Sequence, residues 1–207
     1  EVADKTITML QGAMQELVVG DPALLQTDVG PVIDDRAKGF LDKHLEYLSS
    51  INAKLVYQVP NLSKHKKGTF FMPRAYEIEG INLLKEEVFG PVLHIIRYKN
   101  KDLDKVINDI NNTSFGLTFG IHSRLDQKAS YIKSRVNVGN VYINRNIIGA
   151  VVGVQPFGGE GLSGTGPKAG GPNYLKRLCH ERTTTINTAA VGGNTSLMTL
   201  EDPELDE

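Results

Sequence analysis

Apolar positions recur with helical spacing from the first residues. Val2, Ile7, Leu10, Met14 and Leu17, with Ala3, Thr6 and Ala13 filling the stripe, predict an amphipathic helix that Gly20 and Pro22 terminate. A second helix is expected from about Asp34 to Leu48, with Ala37, Phe40, Leu41, His44, Leu45 and Leu48 along one face. His44 reads as a histidine at the edge of the core, because no carboxylate or second histidine shares helical spacing with it. Strands are expected at Ala53 to Gln58 and near Thr69 to Met72.

Further on, strand and helix patterns alternate. Glu86 to Val92 marks a tight reversal that leads into a strand, Val92 to Tyr98. A helix over Leu103 to Ile110 has Leu103, Val106, Ile107 and Ile110 in register behind Asp102, a candidate cap. Strand Leu117 to His122, helix Asp126 to Val136 and strand Asn140 to Asn144 repeat the alternation, which implies an α/β architecture with a largely parallel sheet and flanking helices. Tyr174 to Cys179 reads as a short helix or turn. Glu181 to Ala189, rich in β-branched residues, reads as a strand, and the acidic end from Glu201 to Glu207 reads as frayed.

Gln155 to Pro172 breaks the alternation. The stretch is too dense in glycine and proline for a helix or a regular strand. Such a loop can turn successive N–H groups towards one point and hold an anion, or it can simply connect. Gly159, Gly161 and Gly164 match the spacing of a dinucleotide fingerprint, but no strand precedes them and Thr165-Gly166-Pro167 follows instead of a helix. Gly161 to Lys168 resembles a phosphate-binding loop with Pro167 before the lysine and Ala169 where a hydroxyl should meet magnesium. Both patterns are rejected.

Composition narrows the function classes. With 207 residues and a formal net charge of −1, the chain can bury a good core and shows no basic footprint for nucleic acid. Lys64, His65, Lys66 and Lys67 form the dense basic cluster, read as a solvated turn. The longest apolar run, Ile147 to Val154, is far short of the roughly 20 residues that span a bilayer. A single cysteine excludes an internal disulfide and fits a reducing, cytoplasmic setting. Opening on Glu1 rather than Met, already in a helical pattern, suggests a piece of something longer.

Several motifs in order carry a family resemblance. Glu87-Val-Phe89-Gly90-Pro91 before a strand, Asn111-Asn112-Thr-Ser-Phe-Gly116-Leu, Gly139-Asn-Val-Tyr-Ile-Asn144, Pro156-Phe157-Gly158-Gly159 with Ser163-Gly164, and a closing Thr-rich strand resemble the C-terminal part of an aldehyde dehydrogenase catalytic domain. Val151 to Lys168 is similar, more narrowly, to the pyrroline-5-carboxylate (glutamate semialdehyde) dehydrogenase branch and to the dehydrogenase module of bacterial bifunctional proline-utilisation enzymes. Val191 to Met198 also fits the bifunctional form.

The resemblance implies NAD as cofactor, with FAD belonging only to a proline dehydrogenase module upstream. It implies that Glu87 accepts from the nicotinamide-side ribose hydroxyls and that Phe89 packs beside the same ribose. Ser163 and Gly164 would anchor the α-carboxylate of glutamate semialdehyde, and Phe157 would line the aldehyde tunnel. The closing strand would serve oligomerisation. The family's nucleophilic cysteine and base glutamate lie upstream of these motifs, and Cys179 does not replace the nucleophile. The resemblance therefore implies a chain inactive alone. Two other readings stay open: a non-catalytic association module that pairs through Glu181 to Ala189, and an anion binder that uses the glycine loop.

Overall fold

A computed structural model describes residues 2–60, 68–164 and 166–187. The basic cluster at 64–67, the residues after 187 and Thr165 lie outside the described residues.

Helix α1, Ala3–Gln15, lays Met14 into a small core with Val59 and Ala75, and Leu10 and Leu17 pack at its edge. Val2 leaves the expected stripe and is exposed. Gln11 donates to Val56 O (2.9 Å), and Arg97 joins Asp4 and Glu77, so polar contacts also tie α1 to the sheet. Helix α2, Asp35–Ser50, begins where the Asp34 side chain accepts from Ala37 N. Leu41 and Leu48 are fully buried on its inner face. The left-handed Asn52 (φ 54) turns the chain into β1, Lys54–Gln58.

A strand occurs at Arg74–Glu77 (β2), not at Thr69 to Met72. Phe71 and Met72 are buried, so the apolar signal was real, but it reports burial without a ladder. Val32 N bonds Thr69 O instead, and pairing starts only after Pro73, which has no N–H to give. Strand β2 is central: β1 pairs with it antiparallel, with Lys54 opposite Glu77, and β3, Val92–Ile95, pairs parallel, with Arg74 opposite Val92.

Helix α3, Leu103–Asn112, starts one residue after a 3-10 turn over Asn100–Asp102. Asp102 makes no side-chain cap, because that turn already winds the backbone into the helix. Strand β4, Phe115–Gly116, is followed by β5, Thr118–Ile121, by α4, Asp126–Lys133, and by β6, Asn140–Ile143. Strands β5 and β6 pair parallel across α4, with Thr118 opposite Asn140. Ile107, Ile121, Ala129, Ile132 and Val136 make the core of this second half. The two parallel pairs thus sit in separate sheets, with an antiparallel strand added to the first.

Strand β7, Glu160–Gly161, returns antiparallel onto β4, and a 3-10 turn follows at Leu175–Leu178. Residues 181–187 are exposed and form no strand among the described residues, where the strand Glu181 to Ala189 was expected; its last two residues lie outside the described ones. A strand exists only through a partner's hydrogen bonds, and a β-rich sequence cannot supply its own. Among the described residues, no helix is long and apolar enough to cross a membrane.

Candidate functional site

The glycine-rich loop is seated backbone on backbone. Phe157 and Ala169 exchange both N–H···O bonds at its root (3.1 and 2.9 Å), and at its tip β7 pairs with β4 while Leu162 N donates to Ser114 O (2.8 Å). Gly139 lets the loop approach β6: a Cβ there would stand 1.8 Å from Gly158 O. Gly161 takes a left-handed φ of 58° to make the turn.

This packing revises the expectation of a nest of N–H groups. The N–H groups of Phe157, Leu162, Ser163, Gly164, Ala169 and Gly171 donate to the chain's own carbonyls. Along this stretch glycine serves close approach more than anion capture.

Ser163 sits half-buried at the tip. Its N–H donates to Glu160 O (3.1 Å), and its Oγ accepts from Gly116 N–H (3.2 Å). A hydroxyl that accepts from a fixed donor keeps its own proton for another partner. Gly164 N–H is engaged with Gly161 O at 3.3 Å, a long bond for an amide. Phe157 is half-buried at the root, in the bridge to Ala169.

Lys168, which the sequence presented at the end of a rejected phosphate loop and of the Val151 to Lys168 motif but with no role of its own, holds the root. Its ammonium donates to Gly139 O and to Asn140 Oδ1, and Asn140 Nδ2 donates to Pro156 O (3.1 Å). No periodicity marks such a lysine, since its partners belong to a distant strand.

Glu87 and Phe89 stand elsewhere, in the turn between a 3-10 segment, Ile81–Leu83, and β3. Both are exposed, Phe89 at 79%. The Glu87 carboxylate makes no hydrogen bond or ion pair among the described residues, so both oxygens are open to accept from vicinal hydroxyls. Behind the turn, α2 and residues 83–88 enclose a cavity of about 300 Å³ lined by Phe40, Lys43, His44, Tyr47, Glu86 and Val88 among others.

His44 meets His94 there, Nε2 to Nε2 at 2.9 Å. Burial lowers the pKa of both imidazoles, His94 to about 4, and the charge of His44 adds to the shift on His94. His44 is therefore partnered by a histidine that sequence spacing could not reveal.

No hydrogen bond or ion pair among the described residues joins Glu87 or Phe89 to Phe157, Ser163 or Gly164. A cavity of about 270 Å³ is lined by Leu84 and Lys85 and by Thr113 and Phe115. Cys179 is exposed, and its thiol donates a hydrogen bond to Leu175 O (3.4 Å) and to no base among the described residues. Among the described residues there is no cluster of three metal-ligating side chains.

Residues 1–184 match the aldehyde dehydrogenase family. The chain belongs to that family. It is similar to a substituted form of Bradyrhizobium japonicum proline utilization A, with 52% identity and a TM-score of 0.83 over 91% of this chain and 19% of that one. It is 36% identical to a 1-pyrroline-5-carboxylate dehydrogenase of Geobacillus sp. over 90% of this chain and 35% of the relative. An aldehyde dehydrogenase C variant from Pseudomonas syringae, solved with NAD+ and octanal, aligns at 26% identity and a TM-score of 0.72 over 82% of this chain and 34% of that one. The chain thus spans a fifth to about a third of the length of these relatives and makes up a part of the aldehyde dehydrogenase domain, mixed α/β as expected.

Proposed function

We propose that this chain is the substrate-anchoring part of an NAD-dependent dehydrogenase that oxidises glutamate γ-semialdehyde to glutamate in proline catabolism. The observation that supports it most is the Ser163 hydroxyl, oriented by Gly116 N–H and left with a proton to donate, at the tip of a loop seated by its own backbone hydrogen bonds. Relatives named as 1-pyrroline-5-carboxylate dehydrogenase and as proline utilization A support the substrate class. Bound NAD+ would accept the hydride.

The roles of this chain's own residues follow from their placement. Ser163, with Gly164 once its long turn bond yields, would hold the substrate's α-carboxylate, a charge-assisted contact. Phe157 would wall the path to it. Glu87 would accept from ribose hydroxyls and Phe89 would cover the ring face, a fit that the open carboxylate and exposed ring allow and that the NAD+-bound relative favours. Neither an activated thiol nor a base paired to one is present among the described residues, so the chain alone would be inactive. FAD would belong to a proline dehydrogenase module outside this chain, and the setting would be cytoplasmic.

Association is a second element of this reading. The exposed, β-branched stretch at 181–186, which forms no strand among the described residues, would add to a sheet of another copy, which favours a homo-oligomer.

Ser163→Ala in the complete enzyme tests the anchor. Loss of a hydrogen bond to a carboxylate, about 1.5–3 kcal/mol, should raise KM for the semialdehyde about tenfold to a hundredfold and leave KM for NAD+ unchanged. Unchanged kinetic constants for the semialdehyde would rule the anchor out.

A further inference from the structure

Helix α2 touches the segment from Leu83 to His94 at three points on one face. Leu41 lies against Gly90, where a Cβ would come within 2.5 Å of Leu41 Cδ1. His44 meets His94. Tyr47 donates its hydroxyl to Leu83 O at 2.8 Å. Positions 41, 44 and 47 follow one another at about one helical turn, so a single face makes all three contacts. Glu87 and Phe89 are strung between these fixed points and are themselves exposed.

Of the three contacts, the histidine pair is the one that a proton can break. At 2.9 Å, with the rings edge to face at 84°, one Nε2 must donate and the other must accept. Two protonated rings would present donor to donor and break the contact.

We propose that the His44–His94 pair is an acid-released clamp that positions the Glu86–Phe89 segment for the cofactor, a role that rests on reading Glu87 and Phe89 as cofactor contacts.

The surroundings set its sign. Lys43 and Tyr47 on α2, with Lys85 and Glu86 on the clamped segment, share the cavity beside His44, and of these Glu86 favours the charged imidazole. On the far side of His94 a larger cavity, about 890 Å³, presents Glu79, Arg97, Tyr98, Lys99, Asp102, Lys105 and Asp109. Burial nevertheless outweighs them: it lowers the pKa of His44 and carries that of His94 down to about 4. The closed segment therefore binds fewer protons than the open one. Closure is complete above about pH 6.5 and weakens as the pH falls towards 4.

Hydrogen–deuterium exchange on the 207-residue chain tests this, with amides 84–90 as reporter and α4, in a separate core, as control. Between pH 7 and pH 5, exchange at 84–90 should rise on the order of tenfold beyond the intrinsic rate while α4 stays unchanged. In the double variant His44→Gln/His94→Gln, whose amides can keep the contact without titrating, the acid response should vanish. Equal exchange at both pH values in the parent chain, an identical response in the double variant, or parallel acceleration in α4 would each overturn the clamp. If the double variant does not fold, the imidazole Cε1–H shifts of the parent chain decide, and a His94 midpoint near 6.5 overturns it. In the complete enzyme, KM for NAD+ should rise on acidification in the parent and not in the double variant. If Glu87→Gln leaves NAD+ affinity unchanged while the exchange result holds, the cofactor reading fails and the clamp survives as a conformational device only.

Discussion

The two regions that hold the site residues are built on opposite plans. The glycine loop is fixed mostly by main chain against main chain, with the Lys168 side chain added at its root: Gly139 against Gly158 O, Leu162 N on Ser114 O, and the two hydrogen bonds between Phe157 and Ala169. The segment that leads from Leu83 into β3 is fixed to α2 by side chains, namely Leu41, His44 and Tyr47, and only its last residues join the sheet. Backbone seating leaves almost no room for adjustment, which suits a residue such as Ser163 whose hydroxyl must point one way. Side-chain seating can be released by a rotamer change or a proton, which suits a segment that meets a cofactor arriving and leaving.

Adding one methyl group to each region should separate the two plans. Gly139→Ala drives a Cβ to 1.8 Å from a carbonyl oxygen that only a main-chain shift can move. We expect the largest effect here, a loss of about 3 kcal/mol or more with the loop unseated, seen as a fall in Tm and as rapid proteolysis between 155 and 172. Gly90→Ala puts its Cβ 2.5 Å from a leucine methyl, and a side chain can yield. Its cost should be smaller, about 1–3 kcal/mol. It should also be rescued in part by Leu41→Ala, because the cavity left by the shortened side chain accepts the new methyl. Strict additivity of Gly90→Ala and Leu41→Ala in denaturation would contradict side-chain seating, and rescue of Gly139→Ala by any neighbouring side-chain truncation would contradict backbone seating.

The same division decides what could be read from the sequence. Helices α1, α2, α3 and α4 and strands β1, β3, β5 and β6 were legible, since each depends on a local period of apolar residues. The motif order that carries the family resemblance was legible too, and the match to the aldehyde dehydrogenase family covers residues 1–184. Phe71 and Met72 misled because burial and strand share the same residue types, and only the ladder tells them apart. Asp102 misled because a 3-10 turn had already started the helix that the side chain was expected to cap.

Contacts between distant elements left no local trace. His44 and His94 are 50 residues apart, and Lys168 reaches Gly139 across 29. The glycine-rich stretch was legible as a loop but not in its purpose, since composition cannot distinguish N–H groups that converge on an anion from N–H groups already spent on carbonyls. Residues 181–186 show the remaining limit: they form no strand among the described residues, because a β-rich composition alone does not supply the ladder that makes one.

The smallest expected effect concerns the base of the side-chain plan. Asp34 is the N-cap of α2, its Oδ1 accepting from Ala37 N at 2.7 Å. Asp34→Ala should cost about 1 kcal/mol, because one of the helix's first amides loses its acceptor. The injury should stay at the helix start. Leu41, His44 and Tyr47 lie about two turns or more beyond the cap, and Leu41 and Leu48 are fully buried, so the inner face is held independently of the first turn. Amide exchange should therefore quicken at 35–38 and remain unchanged at 84–90. If instead the 84–90 amides quicken along with the first turn, α2 moves as one rigid lever on that segment, and the three contacts are a single cooperative joint.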